Sequence, residues 1–351
     1  MSWEGIQGHD ELVAGFARAA ARGRVAGAYL FLGDEGVGKS TFALRLARVL
    51  TCASPGEAFT ACGRCTSCIQ AAAESHPDID VVAKPEDRAT IPLESFIGTP
   101  EHRMREGLCW RILLRPALGQ RKVALILDAD AISEEGANCL LKTLEEPPDA
   151  AVLILVGTAL ERQLPTIRSR CKVLRFRSLA KDVVENVLET EGLGDPETRR
   201  QAAAASAGSL ARARLLVDAE MVEFRRSLFH MLAQRPVRGV VLGSEITAMM
   251  ESAGKEAARR RPRLKLTLEL AIDFYRACLR LAATDLQGED PTLTNSASAW
   301  MRGGGRWEQA STHLQHTLEA LEAVDRNAHL GMLIDAWTAA LEQPRLGLTT
   351  A

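Results

Sequence analysis

The sequence predicts an α/β domain built on a parallel sheet, followed by two all-helical regions. Short continuous apolar runs recur through the first half: "AYLFLG" (28–33), "VALILD" (123–128) and "AVLILVGT" (151–158). Helical patterns separate them, as expected for strands covered on both faces. The first run leads into a glycine-rich loop that opens a helix, the strand–loop–helix order of a phosphate-binding unit. After Phe176 the strand signals vanish and helical patterns continue to the end. With "DIDVVAK" (78–84) and "KVLRF" (172–176) as further strands, the expected layout is an α/β core over 1–178, a small helical region over 179–220 and a larger one over 221–351.

The composition is that of an ordinary globular chain, with 46% hydrophobic residues and a formal net charge of -2. That balance argues against wholesale disorder and does not predict tight nucleic-acid binding by the whole surface, while leaving room for a local basic face or DNA contact shared with partners. The N-terminus "MSWEGIQGHDELVAGF" lacks a basic start followed by an apolar core, and no apolar run is long enough to span a bilayer. A cytosolic chain with reduced thiols is the expectation.

"GDEGVGKST" fits G-x-x-x-x-G-K-[ST] through Gly33, Gly38, Lys39 and Ser40. Glycines let consecutive backbone N–H groups curl around phosphate oxygens, and the helix N-terminus adds unpaired donors. Lys39 is expected at the β/γ phosphates and the Ser40 hydroxyl in a Mg²⁺ shell. Gly36 and Thr41 complete the stretch assigned to ATP.

Cys52, Cys62, Cys65 and Cys68 follow as C-x9-C-x2-C-x2-C. Four thiolates close a tetrahedral Zn²⁺ site, with no position left for water, so the expected role is structural: a zinc module over about 52–68. An iron–sulfur cluster uses the same ligand set. His76 is expected to serve a turn or strand entry. Cys109, Cys139 and Cys278 are expected to be small buried hydrophobes.

The run "KVALILDADAIS" reads as a strand carrying Asp128 at its end, where such folds support Mg²⁺. If the strand continued, Asp130 would share a side with Asp128, with Ala129 pointing the other way; if it ended at Asp128, a bend could redirect Asp130, Glu134 or Glu135. "ANCLLKTLEEPP" (137–148) reads as a helix closed by Pro147 and Pro148, with Leu140, Leu141 and Leu144 inward. The basic run "KEAARRRPRLK" (255–265) reads as a solvated face or connector, and 285–307 as a long loop.

Together, "GDEGVGKS", the four cysteines, "ANCLLKTLEEPP" and "LPTIRSRC" (164–171) resemble the bacterial DNA polymerase III clamp-loader subunits of the AAA+ superfamily. The resemblance is dense over about 1–178 and fades to a helical pattern beyond. It implies an AAA+ core, a helical lid and a C-terminal collar that assembles a pentamer. It further implies that Arg170 projects to a neighbour's γ-phosphate, that Thr158 is a sensor at a strand end, and that Arg212 in "GSLAR" senses phosphate. Motor subunits of the family carry Asp-Glu where this chain has Asp128 and Ala129, and a methyl group cannot orient water. Loss of that Glu with "SRC" retained resembles the delta-prime (stator) type, although many members of that type have degraded phosphate loops and this chain does not. The implied subunit binds ATP with Mg²⁺, hydrolyses it poorly and is monomeric alone. Its implied partners are tau/gamma motor and delta subunits, with the sliding clamp and primed DNA reached through the assembly. The alternative is a tau/gamma-type motor with its own ATPase.

Overall fold

A computed structural model of the chain describes residues 3–85, 88–103, 105–252, 254, 257–284 and 290–342. These fall into two compact units, Met1–Val187 with Ala207–Ala211, and Leu188–Ser206 with Arg212–Ala351.

The first unit opens with α1 (Asp10–Ala21), β1 (Ala28–Leu32), α2 (Lys39–Thr51), α3 (Thr66–Ala72) and β2 (Ile79–Val82). There follow α4 (Glu94–Ile97), α5 (Leu108–Arg111), β3 (Lys122–Ile126), α6 (Glu134–Glu145), β4 (Ala151–Val156), α7 (Pro165–Arg168), β5 (Lys172–Arg175) and the start of α8 (Lys181–Thr190). All five expected strands are present. They form one sheet in the order β2-β3-β4-β1-β5, every neighbouring pair parallel.

Strand periodicity divides the core into two layers. Leu30, Leu32, Ala124, Ile126, Leu153 and Leu155 enter one apolar cluster. Their chain neighbours Tyr29, Phe31, Val123, Leu125, Val152 and Ile154 enter the other, against Phe42 and Leu46 of α2. Both faces are dry, which is why these strands read as unbroken apolar runs. Truncating a fully buried leucine such as Leu153 to Ala costs about 2–5 kcal/mol. In α6 the Ser133 Oγ accepts from Gly136 N at 3.1 Å, and Ala137, Leu140 and Leu144 are buried. Because the sheet is parallel, Gly33, Asp128 and Thr158, each just beyond the end of its strand, lie along one edge.

The second unit is helical: the end of α8, α9 (Pro196–Ala205), most of α10 (Leu210–Leu216), α11 (Ala219–Ala233), α12 (Gly239–Ser252), α13 (Ala257–Ala283), α14 (Pro291–Arg302), α15 (Trp307–Asp325) and α16 (Leu330–Glu342). Leu268, Phe274 and Tyr275 of α13 are fully buried, and α13 runs along α14 and α15. The loop expected over 285–307 is corrected here. Residues 285–289 lie outside the described residues, but Pro291–Arg302 is a helix. Asp290 caps it, with Oδ1 accepting from Leu293 N at 3.2 Å; Pro291 takes the first turn, and Thr294, Ala297 and Trp300 form its buried stripe. Among the described residues no helix is long and apolar enough to cross a membrane.

Candidate functional site

The loop between β1 and α2 is shaped by positions only glycine tolerates. Gly36 has φ 77°, and a Cβ there would lie 2.1 Å from Ser209 Oγ and 2.8 Å from the Ala211 methyl. The Gly36 carbonyl accepts from Leu210 N at 2.8 Å, so 207–211 lies against the loop. Gly33 donates to Thr158 O at 2.9 Å and sits where a Cβ would meet Phe176 O at 2.4 Å. Gly38 precedes α2 with no side-chain cap, which leaves the first N–H groups of the helix, at Lys39, Ser40 and Thr41, available to an anion.

Lys39 is 7% exposed and its Nζ donates to Gly33 O and Asp34 O, each at 2.6 Å. Burial lowers its pKa below the ordinary lysine range, opposed in part by Glu35, Asp130 and Asp34. Buried His9 braces the loop by donating from Nε2 to Val37 O at 2.8 Å; burial likewise lowers its pKa. Nothing in the sequence reading singled out His9.

The end of β3 takes the bent course. The strand stops at Ile126, and Ala129–Ala131 form a single 3₁₀ turn, so alternation does not carry through to Asp130. Asp128 Oδ2 accepts from Lys84 N at 2.8 Å. Asp130 turns to the end of β4, accepting from Thr158 N at 3.0 Å and Thr158 Oγ1 at 2.5 Å, and from Gln163 Nε2. Gly157 makes room, since a Cβ there would lie 2.7 Å from Asp130 Oδ1. The Ala129 methyl is buried in the apolar cluster. Position 129 therefore offers no carboxylate, and the carboxylates at this strand end are Asp128 and Asp130. The Asp130–Thr158–Gln163 node was missed because the turn that creates it has no strand-period signature.

Arg170 follows α7. Its Nε donates to Glu145 Oε1 at 2.7 Å, and Nη1 donates to Thr166 O at 2.9 Å and Ser169 Oγ at 3.0 Å. Cys171 is buried, and burial pushes its thiol up to about 12. The "SRC" turn thus sends its sulfur inward and its guanidinium to a partly exposed surface.

In the second unit, Arg212 pairs with Asp273 and Glu269 of α13. The basic run, of which residues 255 and 256 lie outside the described residues, is largely engaged within this unit. Arg261 donates to Val324 O at 3.1 Å and Ala328 O at 3.3 Å at the C-terminal end of α15. Arg263 reaches Ser252 Oγ at 2.7 Å and Glu220 at 3.0 Å, and Lys265 reaches Asp325 at 3.2 Å.

The four sulfurs of Cys52, Cys62, Cys65 and Cys68 lie within 4.8 Å of one another. Cys62 and Cys68 are 3.9 Å apart, close to the roughly 3.8 Å edge of a tetrahedron with Zn–S bonds of about 2.3 Å. Cys52 Sγ accepts from Cys62 N at 3.3 Å and Cys65 Sγ from Cys68 N at 3.4 Å, contacts that suit thiolates. The donor set fits a closed metal centre. His76 stands outside it. Its Nδ1 accepts from Asp78 N at 2.9 Å, so its proton lies on Nε2, which donates to Ser67 Oγ at 2.7 Å; Ser67 Oγ in turn donates to Thr51 O at 2.7 Å. This is the strand-entry role expected of it.

Residues 8–180 match the family described as DNA polymerase III, delta subunit. The DNA polymerase III subunit delta' of Pseudomonas aeruginosa is 37% identical over 156 residues, 44% of this chain and 44% of that protein. The delta' subunit of Bacillus subtilis is 32% identical over 165 residues, 47% of this chain and 46% of that protein. The gamma/tau subunit of Mycobacterium tuberculosis is 33% identical over 197 residues, 55% of this chain and 32% of that protein. The chain thus spans less than half the length of these delta' relatives and about a third of the gamma/tau one. A crystal structure of a DNA polymerase III gamma subunit-related protein from Thermotoga maritima aligns over 94% of this chain and 98% of that one, at 17% identity and a TM-score of 0.43, too loosely to carry an argument.

Proposed function

Residues 8–180 belong to the DNA polymerase III delta-subunit family, and from that premise we propose that this chain is a clamp-loader subunit of the delta-prime (stator) type, which holds ATP without turning it over efficiently. The observation that carries the reading is the state of the two carboxylates beside the phosphate loop. Hydrolysis in this architecture asks for one carboxylate to support Mg²⁺ and another to orient water. Asp130 is saturated by Thr158 and Gln163, which leaves Asp128 with one oxygen not engaged by Lys84 N. One carboxylate suits holding Mg-ATP and leaves the second task unfilled.

On this reading the N–H groups from Gly36 to Thr41 wrap the phosphates. Lys39 exchanges its two carbonyl partners for phosphate oxygens, and Ser40 and Asp128 face the metal. Bound Mg²⁺ supplies charge neutralisation between phosphates. Thr158 enters only through Asp130, since its hydroxyl is already donated. Arg212 gives up its pairing with Asp273 when it senses phosphate. Arg170 serves the active site of an adjacent motor subunit, and Zn²⁺ at the four cysteines cross-links the segment after α2. Residues 179–220 act as lid and 221–351 as collar. The tau/gamma motor and delta subunits are the direct partners, the sliding clamp and primed DNA are reached through the assembly, and the chain is cytoplasmic and monomeric when alone.

The test is ATP binding and steady-state hydrolysis by the purified chain, alone and with a motor partner. Binding without turnover supports the stator reading. Turnover by the pure chain, lost in Lys39→Ala and Asp128→Asn, would instead establish the tau/gamma-type motor, the reading that the gamma/tau relatives favour.

A further inference from the structure

A cavity of about 200 Å³ lies within the second unit, lined by none of the phosphate-loop, cysteine or Arg170 residues. Its buried wall carries His313, which is 5% exposed and has no hydrogen-bond partner on either ring nitrogen. The ring stands edge-on to Tyr275 at 5.1 Å, and the Tyr275 hydroxyl, also buried, has no partner either. A buried imidazole without partners is destabilising, and an apolar side chain would suit a purely structural core position better.

The mouth of the cavity carries the complementary charge. Exposed Arg235 lies over the Trp300 ring at 5.4 Å and donates one hydrogen bond, to Gln309 Oε1. Among the described residues no carboxylate pairs with it, so most of its donors are free. Val237, Trp300 and Leu341 make the remaining lining largely apolar, and Glu342 stands at the rim.

We propose that this cavity binds a small organic monocarboxylate with a flat apolar body. The carboxylate meets the Arg235 guanidinium, and the body lies against Trp300, Val237 and Leu341. One ring nitrogen of His313, in its neutral form, donates to the ligand. Glu342 at the rim disfavours a second negative charge, which selects a monocarboxylate over a phosphate.

The experiment is calorimetric titration of the full chain with benzoate, with benzamide as the uncharged isostere and inorganic phosphate as the competing anion. Saturable one-site binding of benzoate is expected, with benzamide and phosphate at least about tenfold weaker. Arg235→Gln and His313→Leu should each weaken benzoate by a similar factor. Arg235 is exposed, so its variant keeps the test decisive if His313→Leu fails to fold. Absent or non-saturable benzoate binding, equal binding of benzamide, or affinity unchanged in Arg235→Gln would overturn the proposal.

Discussion

The Arg170 guanidinium is clasped by the Glu145 carboxylate, Nε to Oε1 at 2.7 Å, so the "SRC" turn and the end of the "LLKTLEE" helix present one charged feature. Two stretches that the sequence offers as separate motifs are a single surface device. The pair is partly exposed, with Glu145 half-exposed, so it contributes at most about 1 kcal/mol to folding.

Arg170→Ala should leave the thermal unfolding of the isolated chain nearly unchanged and lower ATP hydrolysis by a reconstituted loader by about 10³-fold or more. Glu145→Ala should lower that rate far less, since it removes an orienting partner and not the transferred charge. An assembly whose rate is indifferent to Arg170→Ala would remove the finger from this chain's functions.

ATP should raise the unfolding temperature through a stabilisation that grows with the logarithm of its excess over Kd, about 2.7 kcal/mol at a hundredfold excess. Lys39→Ala should abolish the shift. Gly36→Val should abolish it too and also destabilise the empty protein, because its side chain would strike Ser209 and Ala211 in a left-handed backbone. A Gly36→Val protein that binds ATP normally would contradict this packing of 207–211 on the loop.

The five strands were legible because a sheet covered on both faces leaves unbroken apolar runs, and the cysteine spacing foretold that four sulfurs gather within 4.8 Å of one another. What escaped was set by tertiary partners. Thr294, Ala297 and Trp300 form a helical stripe, but the surrounding Ser, Thr and Gly read as loop until Asp290 and Pro291 are recognised as a helix start. A bend at Asp130 can be allowed for from sequence, but its partners Thr158 and Gln163, 28 and 33 residues on, cannot be read there. Arg261 and Arg263 looked like a solvated charge run because their chief partners, backbone carbonyls and residues far along the chain, cannot be read from local sequence.

Asp128→Asn and Asp130→Asn should separate the two carboxylates. Asp128→Asn should weaken the Mg²⁺-dependent part of ATP affinity and leave stability within about 1 kcal/mol. Asp130→Asn puts an amide among the donors of Thr158 and Gln163 and should lower stability by about 1–3 kcal/mol. Paired binding and denaturation curves check this, and the reverse pattern would exchange the two roles.

The purified chain should hold one equivalent of zinc by elemental analysis, and Cys65→Ser should lose it. Chelation should open the segment around 52–72 to proteolysis before the sheet unfolds, because that segment relies on the cross-link more than on apolar burial. Iron with matching sulfide in the preparation would assign the centre to an iron–sulfur cluster instead.

Acid should destabilise the second unit through His313. Burial is the main cause that lowers its pKa to about 4, from an ordinary 6.5, with His316 and Arg235 adding repulsion. The groups around it are Tyr275, Arg235, His316 and, at the cavity rim, Glu342. A base whose folded pKa lies below its unfolded value binds more protons when unfolded, so stability rises with pH across the window from about 4 to 6.5 and is lost as pH falls through it. The shift corresponds to about 3 kcal/mol over the whole window. His9 and His76, lowered by burial in the first unit, act in the same direction there. Urea unfolding at pH 5 and pH 7 should show a smaller pH difference for His313→Leu than for the parent chain. An identical pH difference in the parent and the His313→Leu variant would mean that His313 is not buried in its neutral form.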